Sequence, residues 1–311
     1  MSDELAATPG RFRNLTGAPA AILRTLLITI TVLGSLWALE IHHHFEVTFF
    51  KQQYLALFLA LGLGSVFLAV KAFPKQVGDD VPWYDWLLAL GGLAIGLYVT
   101  LLYPTIAYRL GILSPDRWIF GGLAIILLLE ATRRVAGGTL AWLALAVILY
   151  TRFAEHMPGI FYSKSPSWAR IASYLYLDSN GMLGLPIDVA AGVVVAFILF
   201  GQALYAVGGD KFLTDLALIA TGRYRGGPAK VSVVSSALFG TVSGSAVANV
   251  VVDGAITIPL MKSVGFPGHL AAAIEAVASN GGQITPPVMG AAAFLMAEFL
   301  NIPYGQIALA A

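Results

Sequence analysis

Six apolar runs fix what this chain can become. They fall at about 22–39, 54–70, 83–103, 118–130, 138–150 and 187–207. The hydrocarbon core of a bilayer is about 30 Å thick, and about 20 helical residues cross it. Several of the runs are long enough. No water reaches the backbone there, so each run must close its own hydrogen bonds as a helix. Composition agrees: 58% of residues are hydrophobic and 11% charged, where a soluble domain carries about 25% charged residues. The expected fold is an all-α polytopic membrane protein.

The chain has no cysteine, which excludes disulfides, thiolate metal sites and cysteine catalysis. A net charge of +1 without a basic stripe gives no footing for a nucleic acid. Arg11, Arg13 and Arg24 precede or enter the first run, and no clean small-x-small cleavage site follows it. The run therefore reads as an uncleaved span rather than a signal peptide. Lysine and arginine mark cytoplasmic loops. They place the N-terminus, Lys71, Lys75, Arg133, Arg134, Lys211, Arg223, Arg225 and Lys230 inside. Thr151–Pro186 then falls outside, where Glu155 and Asp178 offset Arg152, Lys164 and Arg170. Within it, Ser167–Leu177 reads as an amphipathic helix lying at the membrane interface. His42, His43 and His44 are adjacent, whereas ligands on a helix sit three or four apart; they read as a solvated outer loop. Glu130 and Arg133 form an i, i+3 pair that anchors a helix end.

After Gly226-Gly227-Pro228 the pattern changes. Residues 229–242 are mostly apolar, but at 1.5 Å per residue they reach only about 21 Å. Ser243-Gly244-Ser245 follows, then a second short arm to Met261. Lys230 and Lys262 stand at the two bases. Two short arms with cations at their bases and a Gly/Ser tip read as a re-entrant hairpin. Such backbone survives at membrane depth only when protein buries it or when it lines a polar cavity. Asp253, on the second arm, needs a bundle interior or an aqueous cavity. The next segment, 269–302, is interrupted by SNGGQITPP, Ser279 to Pro287. Gly281 and Gly282 loosen the backbone, while Pro286 and Pro287 lack amide donors and bar helix continuation. The result is a broken helix with unpaired carbonyls, of the kind that serves ions and substrates near the midplane of transporters. Asn280, Gln283 and Thr285 add side-chain oxygens, and a hard cation such as sodium takes oxygen ligands. Glu275 lies about one turn before the break.

These segments carry a family resemblance. FG-x-x-SGS at Phe239–Ser245, IP-x-M at Ile258–Met261 and G-x-x-x-PP at Gly282–Pro287 occur in the order found in the large membrane subunit of tripartite ATP-independent periplasmic (TRAP) transporters. The likeness covers about 185–311. Residues before about Val135 resemble, more loosely, the four-helix small subunit. The fused arrangement is similar to permeases that work with TAXI-type binding proteins, and Ser279–Gln283 and Ala248-Asn249 lean toward that branch. The resemblance implies an elevator-type secondary transporter in the bacterial inner membrane. A periplasmic binding protein would deliver a small organic anion, of the dicarboxylate or acidic amino acid class, and sodium would drive uptake.

It divides the chain into a scaffold at 1–135, a connecting span and periplasmic amphipathic segment at 136–184, and a transport region at 185–311. The candidate substrate- and ion-binding residues are Ser243, Gly244, Ser245, Asn249, Asp253, Asn280, Gly281, Gly282, Gln283 and Thr285. Sodium is expected at Ser243, Ser245, Gly282 and Thr285, and no other cofactor is expected. The two interruptions should meet, and Ser243, Asn249, Asn280 and Gln283 should line an open cavity. Permeases of this plan have two inverted halves, and one hairpin and one broken helix are found here. The chain therefore reads as the N-terminal part of a permease whose C-terminal half lies elsewhere, and the anion clamp is expected in that half, since neither the hairpin nor the broken helix holds an arginine. A divalent-anion/citrate-type sodium symporter shares the hairpin logic and is the alternative. An intramembrane enzyme is a remote one, because Asp253 and Glu275 lack an evident third partner.

Overall fold

The computed structural model describes residues 11–41, 50–73, 78–109 and 112–311. The histidines at 42–44 and Lys75 lie outside the described residues. The described chain is helical, with one isolated bridge between Phe12 and Val70. Contacts divide it into two units, Met1–Asp188 and Val189–Ala311. Among the described residues, five helices are long and apolar enough to cross a membrane: Gly17–Ala38, Lys51–Ala69, Trp83–Ala107, Gly138–His156 and Leu185–Leu204.

The first unit begins with α1 (Gly17–Ala38), α2 (Lys51–Ala69) and α3 (Trp83–Ala107). Small residues let α2 and α3 approach closely, as is common between membrane helices. A side chain on Gly96 would strike Ala56 and Ala60, and one on Gly92 would stand 2.8 Å from Leu63 Cβ. Leu55, Ala56, Ala60, Phe67, Ile95 and Val99 form the buried seam. α1 packs on α2, with Trp37 stacked on Tyr54 at 4.0 Å and Leu26 near Gly64. Most of its large apolar residues, including Leu27, Ile28 and Val32, face outward, as lipid contact allows.

α4 (Pro115–Val135) is longer than the expected 118–130 run. Pro115 starts it, where a missing N–H costs nothing. Its ends carry Asp116, Arg117, Glu130, Arg133 and Arg134. The Glu130–Arg133 pair is present, and Glu130 Oε1 also takes Arg134 Nε at 2.7 Å. Arg134 reaches further: its Nη2 donates to Asp85 Oδ1 at 2.7 Å, and Arg13 pairs with the other oxygen of Asp85. All three side chains are shielded from solvent. Arg13 also donates to the carbonyls of Phe67 and Leu68 at 3.0 and 2.9 Å. Residues 11–13 run beside 69–71, with Arg13 N on Ala69 O and Lys71 N on Arg11 O.

α5 (Gly138–Phe153) buries no residue in this chain. α6 (Trp168–Leu177) starts at Ser167, whose hydroxyl accepts from Arg170 N. It was expected to rest its apolar face on the membrane interface; protein covers that face instead. Ile171, Ala172, Tyr176 and Leu177 are buried, Tyr176 donates to Ile95 O at 2.5 Å, and Gly121 of α4 leaves room for the Ala172 carbonyl.

The apolar run at 187–207 forms α7 (Leu185–Val189), a π turn (Ala190–Val194) and α8 (Val195–Ala206). Its remainder belongs to the second unit, where α9 (Gly209–Thr221), α10 (Gly227–Ser243), α11 (Ala246–Val252), α12 (Gly254–Ser263) and α13 (Gly268–Gly282) follow. α14 (Ala291–Leu300) and α15 (Tyr304–Ala310) complete it.

Candidate functional site

The site is built from α10 to α14. α10 ends at Gly244, whose φ of 58° lies in the left-handed region that suits glycine. The chain turns there and returns as α11 and α12, which pack on α10 and α13. At the α11–α12 junction Asp253 keeps helical backbone angles, and Asp253 N on Asn249 O at 2.8 Å and Thr257 N on Asp253 O at 2.9 Å carry the helical pattern through it. α13 runs to Gly282 and stops. Residues 283–290 turn, closed by Gly290 N on Gln283 O at 2.7 Å, and α14 resumes at Ala291.

Two pairs of glycines bring the interruptions together. A side chain on Gly240 would run into the Gly282 backbone, and a Cβ on Gly282 would stand 2.9 Å from Asn249 Nδ2 and Ser236 O. At the tip, a side chain on Gly244 would strike Met289 O, and one on Gly290 would stand 3.3 Å from Gly244 O and 3.4 Å from Gln283 Cβ. The tip therefore rests on Met289 and Gly290, at the far side of the break. Gly282, at its near side, faces Gly240, one turn below the tip.

The expected site residues separate into two groups. Ser245, Asn280, Gly281 and Gln283 are exposed, and Ser243, Gly244 and Thr285 are half-buried. Asn249, Asp253 and Gly282 are buried. Asn249 was expected to line an open cavity and does not: its Nδ2 donates to Ser236 O at 2.8 Å, held by the close glycine contact beside it. Nor are the carbonyls of the break all bare. Tyr304, stacked on Phe294 at 4.5 Å, places its hydroxyl on the carbonyl oxygens of Pro287, at 2.9 Å, and Val288.

Asp253 turns away from the tip into the interior, where it meets Glu275. Ser235 and Ser236 donate toward Asp253 Oδ2, the second at 3.0 Å. Ser232 donates to Glu275 Oε2 at 2.8 Å, Ser279 to Glu275 Oε1 at 3.0 Å, and Thr257 lies on Glu275 Oε2. These residues are fully buried. Sequence reasoning singled out the two acids but missed their hydroxyl partners. The signal was present: Ser232, Ser235 and Ser236 form one polar stripe on an apolar helix, and Asp253–Thr257 and Glu275–Ser279 are i, i+4 pairs.

The family profile described as "Tripartite ATP-independent periplasmic transporter, DctM component" matches residues 123–311, more than half of the chain. The chain belongs to the DctM family of TRAP transporters. This DctM-family chain is similar to a putative TRAP transporter large permease protein of Haemophilus influenzae, 33% identical over 125 residues, which are 40% of this chain and 27% of that protein. It is similar to the 2,3-diketo-L-gulonate TRAP transporter large permease protein YiaN of Escherichia coli, 30% identical over 119 residues (38% and 25%). It is also similar to the C4-dicarboxylate TRAP transporter large permease protein DctM of Rhodobacter capsulatus, 35% identical over 91 residues (29% and 21%). The matches span about a quarter of the length of these relatives. No solved structure matches. A DctM-family chain with this run of apolar helices is a multi-pass inner-membrane protein and a transporter component, not an enzyme.

Proposed function

We propose that this chain forms part of a sodium-coupled permease that imports a small organic anion, of the dicarboxylate or acidic amino acid class, from a TAXI-type periplasmic binding protein. The observation that supports the reading is the meeting of two helix interruptions, Gly244 on Met289 and Gly290. Irregular backbone at membrane depth is tolerated where it serves a cavity or is buried in protein, and paired breaks offer helix ends and oxygens to a charged solute. Ser243, Ser245, Gly282 and Thr285 are the proposed sodium ligands, and sodium is cargo that crosses with the substrate. The exposed Asn280 and Gln283 are the groups proposed to meet the anion. Residues 1–135 act as the fixed scaffold of the small-subunit type, and the second unit carries the elevator motion. The N-terminus is cytoplasmic.

Proteoliposomes holding the permease test the reading. With its binding protein outside and an inward sodium gradient, labelled dicarboxylate should accumulate. Accumulation of equal rate in potassium or choline, or without the binding protein, would overturn the reading.

A further inference from the structure

Ser236 has one hydroxyl hydrogen and lies on two carboxyl oxygens. Its Oγ is 3.0 Å from Asp253 Oδ2 and 3.2 Å from Glu275 Oε1. It donates along one of these contacts. The other needs a hydrogen from the carboxyl, since two acceptor oxygens at hydrogen-bond distance otherwise repel. A second observation points the same way. Asp253 and Glu275 are both fully buried, and the side-chain hydrogen bonds they receive among the described residues come from serine and threonine hydroxyls, not from a cation. Two ionised carboxylates bridged by one serine in a buried setting are the costly state, and a buried acid neutralises instead.

The charges around the pair do not rescue two carboxylates. α10 carries Lys230, α12 Lys262, α13 His269, and α9 Lys211 and Asp215; all are exposed, and among the described residues no cation is ion-paired with Asp253 or Glu275. We infer that Asp253, Ser236 and Glu275 form a proton-binding site that holds one proton between two carboxyl groups. Ser236 is the relay. In one arrangement Glu275 Oε1–H donates to Ser236 Oγ, whose own hydrogen goes to Asp253 Oδ2. In the other, the Glu275 O–H bond breaks, its proton joins Ser236, and the Ser236 hydrogen forms the O–H bond of Asp253. One proton has then moved from the broken helix to the hairpin, and Ser236 is unchanged. The proposed occupant is a proton, since the hydroxyl and carboxyl oxygens stand at hydrogen-bond distance from one another.

Infrared spectroscopy of the purified full chain in nanodiscs tests this without measuring transport. A carbonyl band of a protonated carboxylic acid should persist at neutral pH and move in heavy water. It should shift when aspartate and glutamate side chains carry carbon-13, which needs no variant. It should weaken in Asp253→Asn or Glu275→Gln, and shift in Ser236→Ala, which removes the relay but neither acid. Among the described residues the other solvent-shielded acid, Asp85, is ion-paired with Arg13 and Arg134. Absence of the band at neutral pH overturns the site. So does its loss when sodium replaces choline at constant pH, since the occupant would then be sodium.

Discussion

Gly240 lies backbone to backbone against Gly282, with no side chain between them. This contact joins the first hairpin arm to the end of the helix that breaks. Gly240→Ala inserts a methyl where neither backbone can yield, and overpacking of this kind costs about 1–3 kcal/mol. The neighbouring Gly281 has open space where a side chain would go. Gly281→Ala should therefore raise stability by about 0.5–1 kcal/mol through helix propensity alone. Thermal unfolding in detergent should separate the two variants in opposite directions. Equal midpoints would show that the glycine contact does not govern stability.

Asp85 is shared by Arg13 and Arg134. Removing one partner of a buried ion pair leaves charge uncompensated and costs about 3–5 kcal/mol. Asp85→Ala should lose at least that much, because two guanidinium groups are left. Lowering Arg134 together with Asp85 in a double mutant should restore part of the loss. A double mutant no better than the sum of the two singles would count against the shared ion cluster.

Lys71 Nζ lies 2.9 Å from Asp79 Oδ1 in the segment between α2 and α3, outside the spans. The hydrogen bond from Lys71 holds the Asp79 carboxyl below its ordinary value, against a smaller opposing effect of burial. A depressed folded value means that the stabilisation is complete above the unfolded value, about 3.9, and fades as pH falls through the folded one. The difference in unfolding midpoint between the natural chain and Asp79→Asn should be full at neutral pH and vanish only in strong acid. A difference that vanishes near neutrality would contradict the pairing.

Arg223 and Lys164 are exposed, and the chain has no cysteine of its own. Single cysteines there report the side of the membrane directly. A cysteine at 164 should react with an impermeant maleimide in intact cells, and one at 223 only after lysis. The reverse pattern would invert the proposed topology.

Local chemistry carried much of the site into view. Gly and Ser at 243–245 weaken a helix and Pro286-Pro287 bars its continuation, so both interruptions were legible. What the tip touches was not. Met289 and Gly290 lie beyond the break and have no motif that marks them as its partner. The inward turn of Asp253 toward Glu275 was hidden too, because an acid in an apolar arm looks the same whichever way its side chain faces. The Arg13–Asp85–Arg134 cluster joins residues 72 and 49 apart, and pairing at that range leaves no periodic trace. From sequence, the same arginines served only as markers of the cytoplasmic side.

That cluster also sets an order of events during synthesis. Arg11 donates to Val135 O, 124 residues further along the chain. At about 5–20 residues per second, this contact becomes available about 6–25 s after Arg11 is made, whereas the partners at Ala69 and Lys71 follow within about 3–12 s. The N-terminal segment can therefore be seated on α2 first, and the end of α4 is the stretch that adds the last of these contacts.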